Sequence, residues 1–204
     1  TPMKLYYSPG ACSLSPHIAL LEAGLPYDLV KVDLRAKKLE NGDDFLQVNP
    51  KGQVPALALD TGEMVTEGPI IIQMIADKVA DKKLAPARDS NERYKLLEWL
   101  NYITTELHKN LGPMFSPVLA DDAKAFFKDR AMGKFKYVDS QLAGREYLMG
   151  SQFTVADGYL FTMIMWAQDR LGFDLSGLPN VTAYKARVAA RPKVQEALKK
   201  EGLL

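Results

Sequence analysis

Strand patterns run out at about residue 82 of this 204-residue chain, and everything beyond reads as helix. That break limits the fold more than any single motif does, because a sheet can be assembled only from the first part. Within it, "MKLYYS" alternates like a strand and "SLSPHIALLEA" like a helix stopped by Gly24. "PYDLVKVDL" is a second strand centred on Leu29, Val30 and Val32. "RAKKLENGDDFLQVNPKGQ" is punctuated by Asn41-Gly42 and Asn49-Pro50 and reads as loop with one short helix at most. "VPALALD" and "EMVTE" form a hairpin about Thr61-Gly62, and "GPIIIQMIADKVA" is a helix that tolerates Pro69 in its first turn.

The order β-α-β-(α)-β-β-α over residues 3–82 predicts a small mixed sheet with helices on its faces, as in thioredoxin-like domains. "DKKLAPARDS" reads as a linker, and residues 88–204 as an all-α domain. Leu96, Leu100, Ile103, Leu107 and Leu111 make one apolar helical stripe, and "DDAKAFFKDRAMGKFKYVDSQLA" is a second long helix. "TVADGYLFTMIMWAQDRLG" is apolar nearly all round and should be the buried central helix, opened by a Thr154/Asp157 capping box. Gly158, four residues past the cap, denies that start a hydrophobic staple. "NVTAYKARVAAR" and "KVQEALKKEG" close the chain.

Hydrophobic residues make up 47% of the chain, enough for a core, and 26 basic residues against 25 acidic ones leave a net charge of +1. Neither nucleic acid nor a membrane is therefore expected as a partner. The N-terminus lacks the basic and apolar regions of a signal peptide, and "GYLFTMIMWA" is too short to span a bilayer. One cysteine permits no internal disulfide, so a reducing, cytoplasmic setting is expected. Thr1 and Pro2 read as additions ahead of a natural start at Met3.

That cysteine, Cys12, opens a C-x-x-S sequence at a strand-to-helix junction. The first backbone N–H groups of the helix and its positive dipole end should face the sulfur. A thiol so placed has its pKa lowered from about 8.5 toward roughly 3.5–7.5, which makes it a nucleophile. Ser15 stands where a resolving cysteine would, so the reactive thiol needs an external partner, and glutathione is the abundant cytosolic one. Against this, a solitary cysteine is commonly a small buried hydrophobe.

"MKLYYSPGACSLSPHIAL", "NPKGQVPAL", "TEGPIIIQ", "EWLNYITTELHK", "FTVADGYLFT" and "RPKVQEALKKEGL" together resemble the cytosolic glutathione transferases, specifically the bacterial beta class. The similarity runs in order from Met3 to Leu204. It implies a thioredoxin-like N-terminal domain, an all-α C-terminal domain and a homodimer, with glutathione as co-substrate and no metal. It also implies that the glutathione sulfur lies at the domain cleft, where Cys12 contacts it and forms a mixed disulfide. Lys37 would hold the glycine end, and the Val54 backbone, before a cis Pro55, would pair with the cysteinyl part. Glu67 would take the γ-glutamyl ammonium and the helix start at Gly68 its carboxylate; many other classes have a serine where this chain has Gly68.

In the second domain the resemblance points to Asn101, Thr105, Glu106, Leu107 and His108 as glutathione contacts. His108 and Lys109 are its candidates for stabilising a thiolate. Asn101, Thr105 and His108 are spaced i, i+4, i+7 and should share one face at the edge of the apolar stripe. Taken alone, Lys37 reads equally as a solvated lysine, Glu67 as a favourable charge at a helix start and His108 as a residue suited to a helix end. His17 reads as structural. Tyr7 and Ser13 compete with Cys12 as activators of the thiol. Leu14, Met114, Phe115, Met165 and Trp166 are the expected lining for a small apolar electrophile.

The function implied is conjugation of glutathione to small electrophiles in detoxification, with thiol-disulfide exchange through Cys12. A non-catalytic glutathione-binding scaffold and a glutathione-dependent isomerase or dehalogenase are the alternatives.

Overall fold

The computed structural model describes residues 2–204; Thr1, read as an addition ahead of Met3, lies outside them. The described residues up to Ala85, together with Arg191–Leu204, make one unit, and Pro86–Ala190 make the other.

In the first unit β1 (Met3–Tyr7), β2 (Tyr27–Asp33), β3 (Lys38–Leu39), β4 (Ala56–Ala58) and β5 (Met64–Thr66) form one sheet in the order β3-β2-β1-β4-β5. β1 runs parallel to β2, with Leu5 opposite Leu29, and antiparallel to β4, with Leu5 opposite Leu57. β5 returns beside β4 through the expected turn, where Gly62 adopts φ 91° and its N–H meets the Leu59 carbonyl at 3.0 Å. β3 falls in the stretch read as loop, because two residues are too few to show alternation. The short helix there is α2 (Phe45–Val48), capped by the Asp44 carboxylate, which accepts from Leu46 N at 3.0 Å.

Helix α1 (Leu14–Ala23) is buried at nine of its ten positions, Glu22 alone being half-exposed. It ends at Gly24, whose φ of 69° supplies the left-handed residue that closes the last turn. Burial on every side requires cover on every side. β1, α3 (Gly68–Lys78) and a C-terminal helix (Pro192–Lys200) all pack against α1.

Here the structure differs from the sequence reading, which placed residues 88–204 in one helical domain. The last helix turns Val194, Ala197 and Leu198 inward, Arg191 pairs with Glu22 through two bonds of 2.8 and 3.0 Å, and Glu201 is buried. An amphipathic stripe shows that a helix has an apolar face to cover, not which core it covers.

In the second unit α4 (Asn91–Tyr102) is capped by Ser90, and a π-helical turn at Ile103–His108 continues it into α5 (Lys109–Leu111). The stripe of Leu96, Leu100, Ile103, Leu107 and Leu111 is buried. α6 (Asp121–Leu142) follows, then α7 (Val155–Met165), a second π turn at Trp166–Arg170, and α8 (Pro179–Ala189). All eleven residues of α7 are buried, as expected of a central helix. The C-terminal helix Pro192–Lys200 is α9.

The start of α7 rests on a buried carboxylate. Asp157 accepts from Thr154 N at 2.8 Å, Leu148 N at 3.0 Å and the Tyr184 hydroxyl at 2.7 Å. The two carboxylate-group oxygens satisfy a cap, a loop and a neighbouring helix at once. Asp157→Ala strands three buried donors, so it should destabilise the protein by about 3–5 kcal/mol in urea titrations followed by circular dichroism.

Candidate functional site

In the first unit the thiol meets extended backbone. Cys12 Sγ donates to the Val54 carbonyl at 3.2 Å, and Val54-Pro55 is a cis peptide. Cys12 is half-buried, and Val54 packs with Val32 and Phe45. The helix start beside it differs from expectation. Leu14 N returns to the Ala11 carbonyl at 3.0 Å and Ser15 N to the Cys12 carbonyl at 3.2 Å, so tight turns consume N–H groups expected to face the sulfur.

The other two proposed activators are constrained. Ser13 is fully buried, and its hydroxyl accepts from Ser8 N at 3.1 Å and donates to the Ser8 carbonyl at 3.2 Å. It closes the strand-to-helix turn. Tyr7 is buried at the end of β1, and desolvation, followed by the charges of Glu201 and Glu40, raises its phenol pKa. The hydroxyl therefore stays protonated. His17 is structural as read, with Nδ1 2.6 Å from Glu201 Oε2 and Nε2 2.9 Å from the Tyr27 hydroxyl.

Lys37 adopts a left-handed φ of 57° and donates from Nζ to the Gly52 carbonyl at 2.7 Å. Gly52 is needed for that approach: its φ is 64°, and a Cβ there would lie 3.1 Å from Leu46 and 3.4 Å from the Lys37 stem. Asn49, buried, fixes the same loop by accepting from Lys51 N at 3.2 Å and donating to the Gln53 carbonyl at 2.8 Å. Lys37, from the turn between β2 and β3, thus reaches the loop between α2 and β4 that carries Gly52 and Val54.

Glu67 sits between β5 and α3 at φ 73° and ψ 110°, a conformation that L residues rarely occupy and that costs on the order of 1–3 kcal/mol. Its carbonyl accepts from Ile70 N and Ile71 N, both at 3.0 Å, and Pro69 has no N–H. The Gly68 N–H is therefore the first-turn donor that the helix itself does not use. The Glu67 carboxylate projects to solvent and meets Lys51 Nζ at 2.7 Å; that ammonium also lies 2.7 Å from Thr66 Oγ1.

In the second unit the π turn decides which residues share a face. Asn101 and Thr105 are exposed and Glu106 is half-buried; the three line a shallow groove with Tyr94, Leu97 and Tyr102. His108 leaves that face, because the extra residue in the π turn breaks the i, i+4, i+7 register. It packs edge-on to Trp166 at 5.1 Å, and Trp166 packs edge-on to Phe115 at 5.3 Å. Leu107 is core, so its side chain belongs to no open site. Lys109 is exposed. Of the expected electrophile lining, Leu14 is also core, whereas Met114 and Phe115 are partly exposed.

Burial, with the charge of Lys109 as a lesser cause, lowers the His108 pKa to about 4. The ring is neutral at physiological pH, which removes the imidazolium that a cationic thiolate stabiliser would need. Thr104 Oγ1 lies 2.9 Å from the Leu100 carbonyl and 3.1 Å from Tyr159 Oη, which lies 2.7 Å from His108 Nδ1. One order of protons gives all three contacts a hydrogen: Nδ1–H to Tyr159, Tyr159 to Thr104, Thr104 to Leu100. That order leaves Nε2 as an acceptor.

Sequence reasoning missed Asn49, Lys51 and Tyr159. Their partners lie up to 55 residues away, and nothing in a local pattern marks them. Among the described residues no group of three or more histidine, cysteine, aspartate or glutamate side chains is placed to hold a metal ion.

Residues 10–78 match the family model for the glutathione S-transferase N-terminal domain, and residues 105–201 that for the C-terminal domain. The chain is 49% identical to the glutathione S-transferase GstA of Escherichia coli O157:H7, over 98% of this chain and all of that one. It superposes on a sphingomonad glutathione S-transferase complexed with glutathione at a TM-score of 0.94 and 47% identity, covering 98% of this chain and 100% of that one. A bacterial beta-class glutathione S-transferase from Sphingomonas chungbukensis gives a TM-score of 0.95 at 49% identity, with the same coverage.

The low His108 pKa has a measurable consequence for folding. Below about pH 6.5 the unfolded chain takes up a proton that the folded one refuses, so stability falls with pH and levels off below about 4. Between pH 7 and pH 4 the protein should lose about 2–3 kcal/mol more than its His108→Gln variant. Parallel urea titrations across that range check it.

Proposed function

The chain belongs to the glutathione S-transferase family and is a glutathione-dependent enzyme, and from that premise we propose that Cys12 exchanges disulfides with glutathione beside the Val54 backbone. The contact that carries the reading is the 3.2 Å bond from Cys12 Sγ to the Val54 carbonyl. A peptide laid along that backbone brings its own thiol to Cys12. Its cysteinyl N–H also competes with the Cys12 thiol for that carbonyl.

In the exchange step the Cys12 thiolate attacks one sulfur of oxidised glutathione. The glutathione disulfide breaks, one glutathione leaves as thiolate, and glutathionyl-Cys12 forms. A second glutathione thiolate attacks that mixed disulfide, releases oxidised glutathione and restores Cys12. Conjugation is a separate use of the same bound peptide. There the glutathione thiolate attacks a small apolar electrophile, and much of the acceleration comes from holding the two reactants together.

The remaining contacts are assigned by resemblance. Lys37 takes the glycine carboxylate from the loop it already touches, Glu67 takes the γ-glutamyl ammonium and the Gly68 N–H its carboxylate. Asn101, Thr105 and Glu106 stand on one exposed face, whereas Leu107 can contribute only backbone. His108 enters as a neutral ring whose Nε2 accepts a proton or hydrogen bond, and the resemblance makes Lys109 the candidate cation for a thiolate. Met114 and Phe115 offer the apolar surface for the electrophile, whereas Met165 and Trp166 are buried and can only back it. The resemblance further implies a homodimer acting in the cytoplasm.

Incubation with oxidised glutathione followed by intact mass measurement tests the exchange. One glutathionyl adduct, removed by reductant and absent in Cys12→Ser, is expected, with conjugation to an aryl halide surviving the substitution. A folded protein that takes up no adduct would make Cys12 a passive contact and leave conjugation as the activity.

A further inference from the structure

We propose that Lys51 is a second glutathione-recognising cation, which passes from Glu67 to the α-carboxylate of the γ-glutamyl group when the peptide binds. The inference rests on the glutathione reading and adds a residue to it. Lys51 Nζ lies 2.7 Å from Glu67 Oε2, and the Thr66 hydroxyl steers it there from 2.7 Å. Both charged side chains are open to solvent, 52% for Lys51 and 61% for Glu67, so exchanging partners requires no burial of charge.

The γ-glutamyl end of glutathione carries an ammonium and a carboxylate on one carbon. It is a zwitterion presented to an ion pair. An ammonium that takes Glu67 displaces Lys51 by competing for the same carboxylate. It also delivers, one carbon away, the anion that Lys51 can take instead. The four charges then alternate in sign, and each keeps a partner. The overall count agrees: Lys37, Lys51 and Glu67 offer two cations and one anion to a peptide with two carboxylates and one ammonium.

Gly68 strengthens the assignment. The α-carboxylate has two oxygens, and the chain offers one N–H there and no side-chain hydroxyl. Space does not impose that choice, because a Cβ on Gly68 would sit 3.7 Å from Pro55 Cγ, an ordinary contact. Lys51 supplies the second donor that a glycine cannot.

Two glutathione analogues separate the possibilities. In 4-aminobutyryl-Cys-Gly the ammonium is present and the α-carboxylate is missing; in glutathione both are present. Calorimetric Kd values are measured for both peptides on the full-length protein and on Lys51→Met, an exposed position whose loss should leave the fold intact. Glutathione should bind the variant about five-fold more weakly, the upper end for an exposed ion pair. The 4-aminobutyryl peptide should bind both proteins equally well, or the variant more tightly. Unchanged or tighter glutathione binding by the variant would make Lys51 a mere competitor for Glu67 and overturn the proposal. Equal weakening of both peptides would assign Lys51 to the orientation of Glu67 and overturn it as well. Failure of the unaltered protein to bind glutathione at all would instead remove the glutathione reading beneath it.

Discussion

The burial of α1 at nine of its ten positions is the constraint from which the first unit follows. This helix begins two residues after the thiol, and with almost no polar face it cannot border solvent. The sheet and α3 leave one side to cover, and α9, from the far end of the chain, packs there. That cover also reaches the thiol loop. Glu201 accepts from Gly10 N at 3.0 Å with one oxygen and meets His17 with the other, so a single buried carboxylate ties the C-terminus, α1 and the turn that carries Cys12. Removing one partner from such a group leaves a buried polar atom unsatisfied, which is costly.

The elements were legible in the sequence because each is the solution of a local problem. Gly24 stops α1 by supplying a left-handed φ, Thr61-Gly62 turns β4 into β5, and the stripe from Leu96 to Leu111 is buried as its spacing predicts. The candidate site residues of the first unit came from resemblance alone, and what the fold shows is that Lys37 and Cys12 both reach the loop that carries Gly52 and Val54. What stayed hidden was partnership at long range. No pattern tells which core a C-terminal amphipathic helix covers, or that Asn49 will lock a loop whose lysine reaches Glu67.

The second unit shows a subtler limit. Helical periodicity is read at 3.6 residues per turn, and the residues of Ile103–His108 carry no sign that their turn is wider. The stripe survives the change because apolar side chains tolerate a modest rotation. The polar reading does not: His108 rotates away from Asn101 and Thr105 into contact with Trp166 and Tyr159. Its chemistry follows from that rotation, since a ring held against aromatic edges loses water and with it the charged state. A single inserted position thus converts an expected surface cation into a neutral acceptor.

The two units satisfy their polar groups in different ways. In the second, Thr104, Tyr159 and neutral His108 satisfy one another along a single chain of hydrogen bonds, and the Arg170 guanidinium lies 4.7 Å over the Phe115 ring. In the first, the groups are two ammoniums, a carboxylate and a thiol, and each already has an internal partner: Lys37 the Gly52 carbonyl, Lys51 the Glu67 carboxylate, Cys12 the Val54 carbonyl. A ligand arriving there gains only the difference between new contacts and old ones. Such a site favours a molecule that replaces every partner it displaces, because any group left unmatched after the exchange counts against binding. A peptide with two carboxylates, one ammonium, a thiol and an extended backbone meets that demand, whereas a thiol that merely shares its sulfur does not. Discrimination arises from the bonds that must be given up as much as from those that are made.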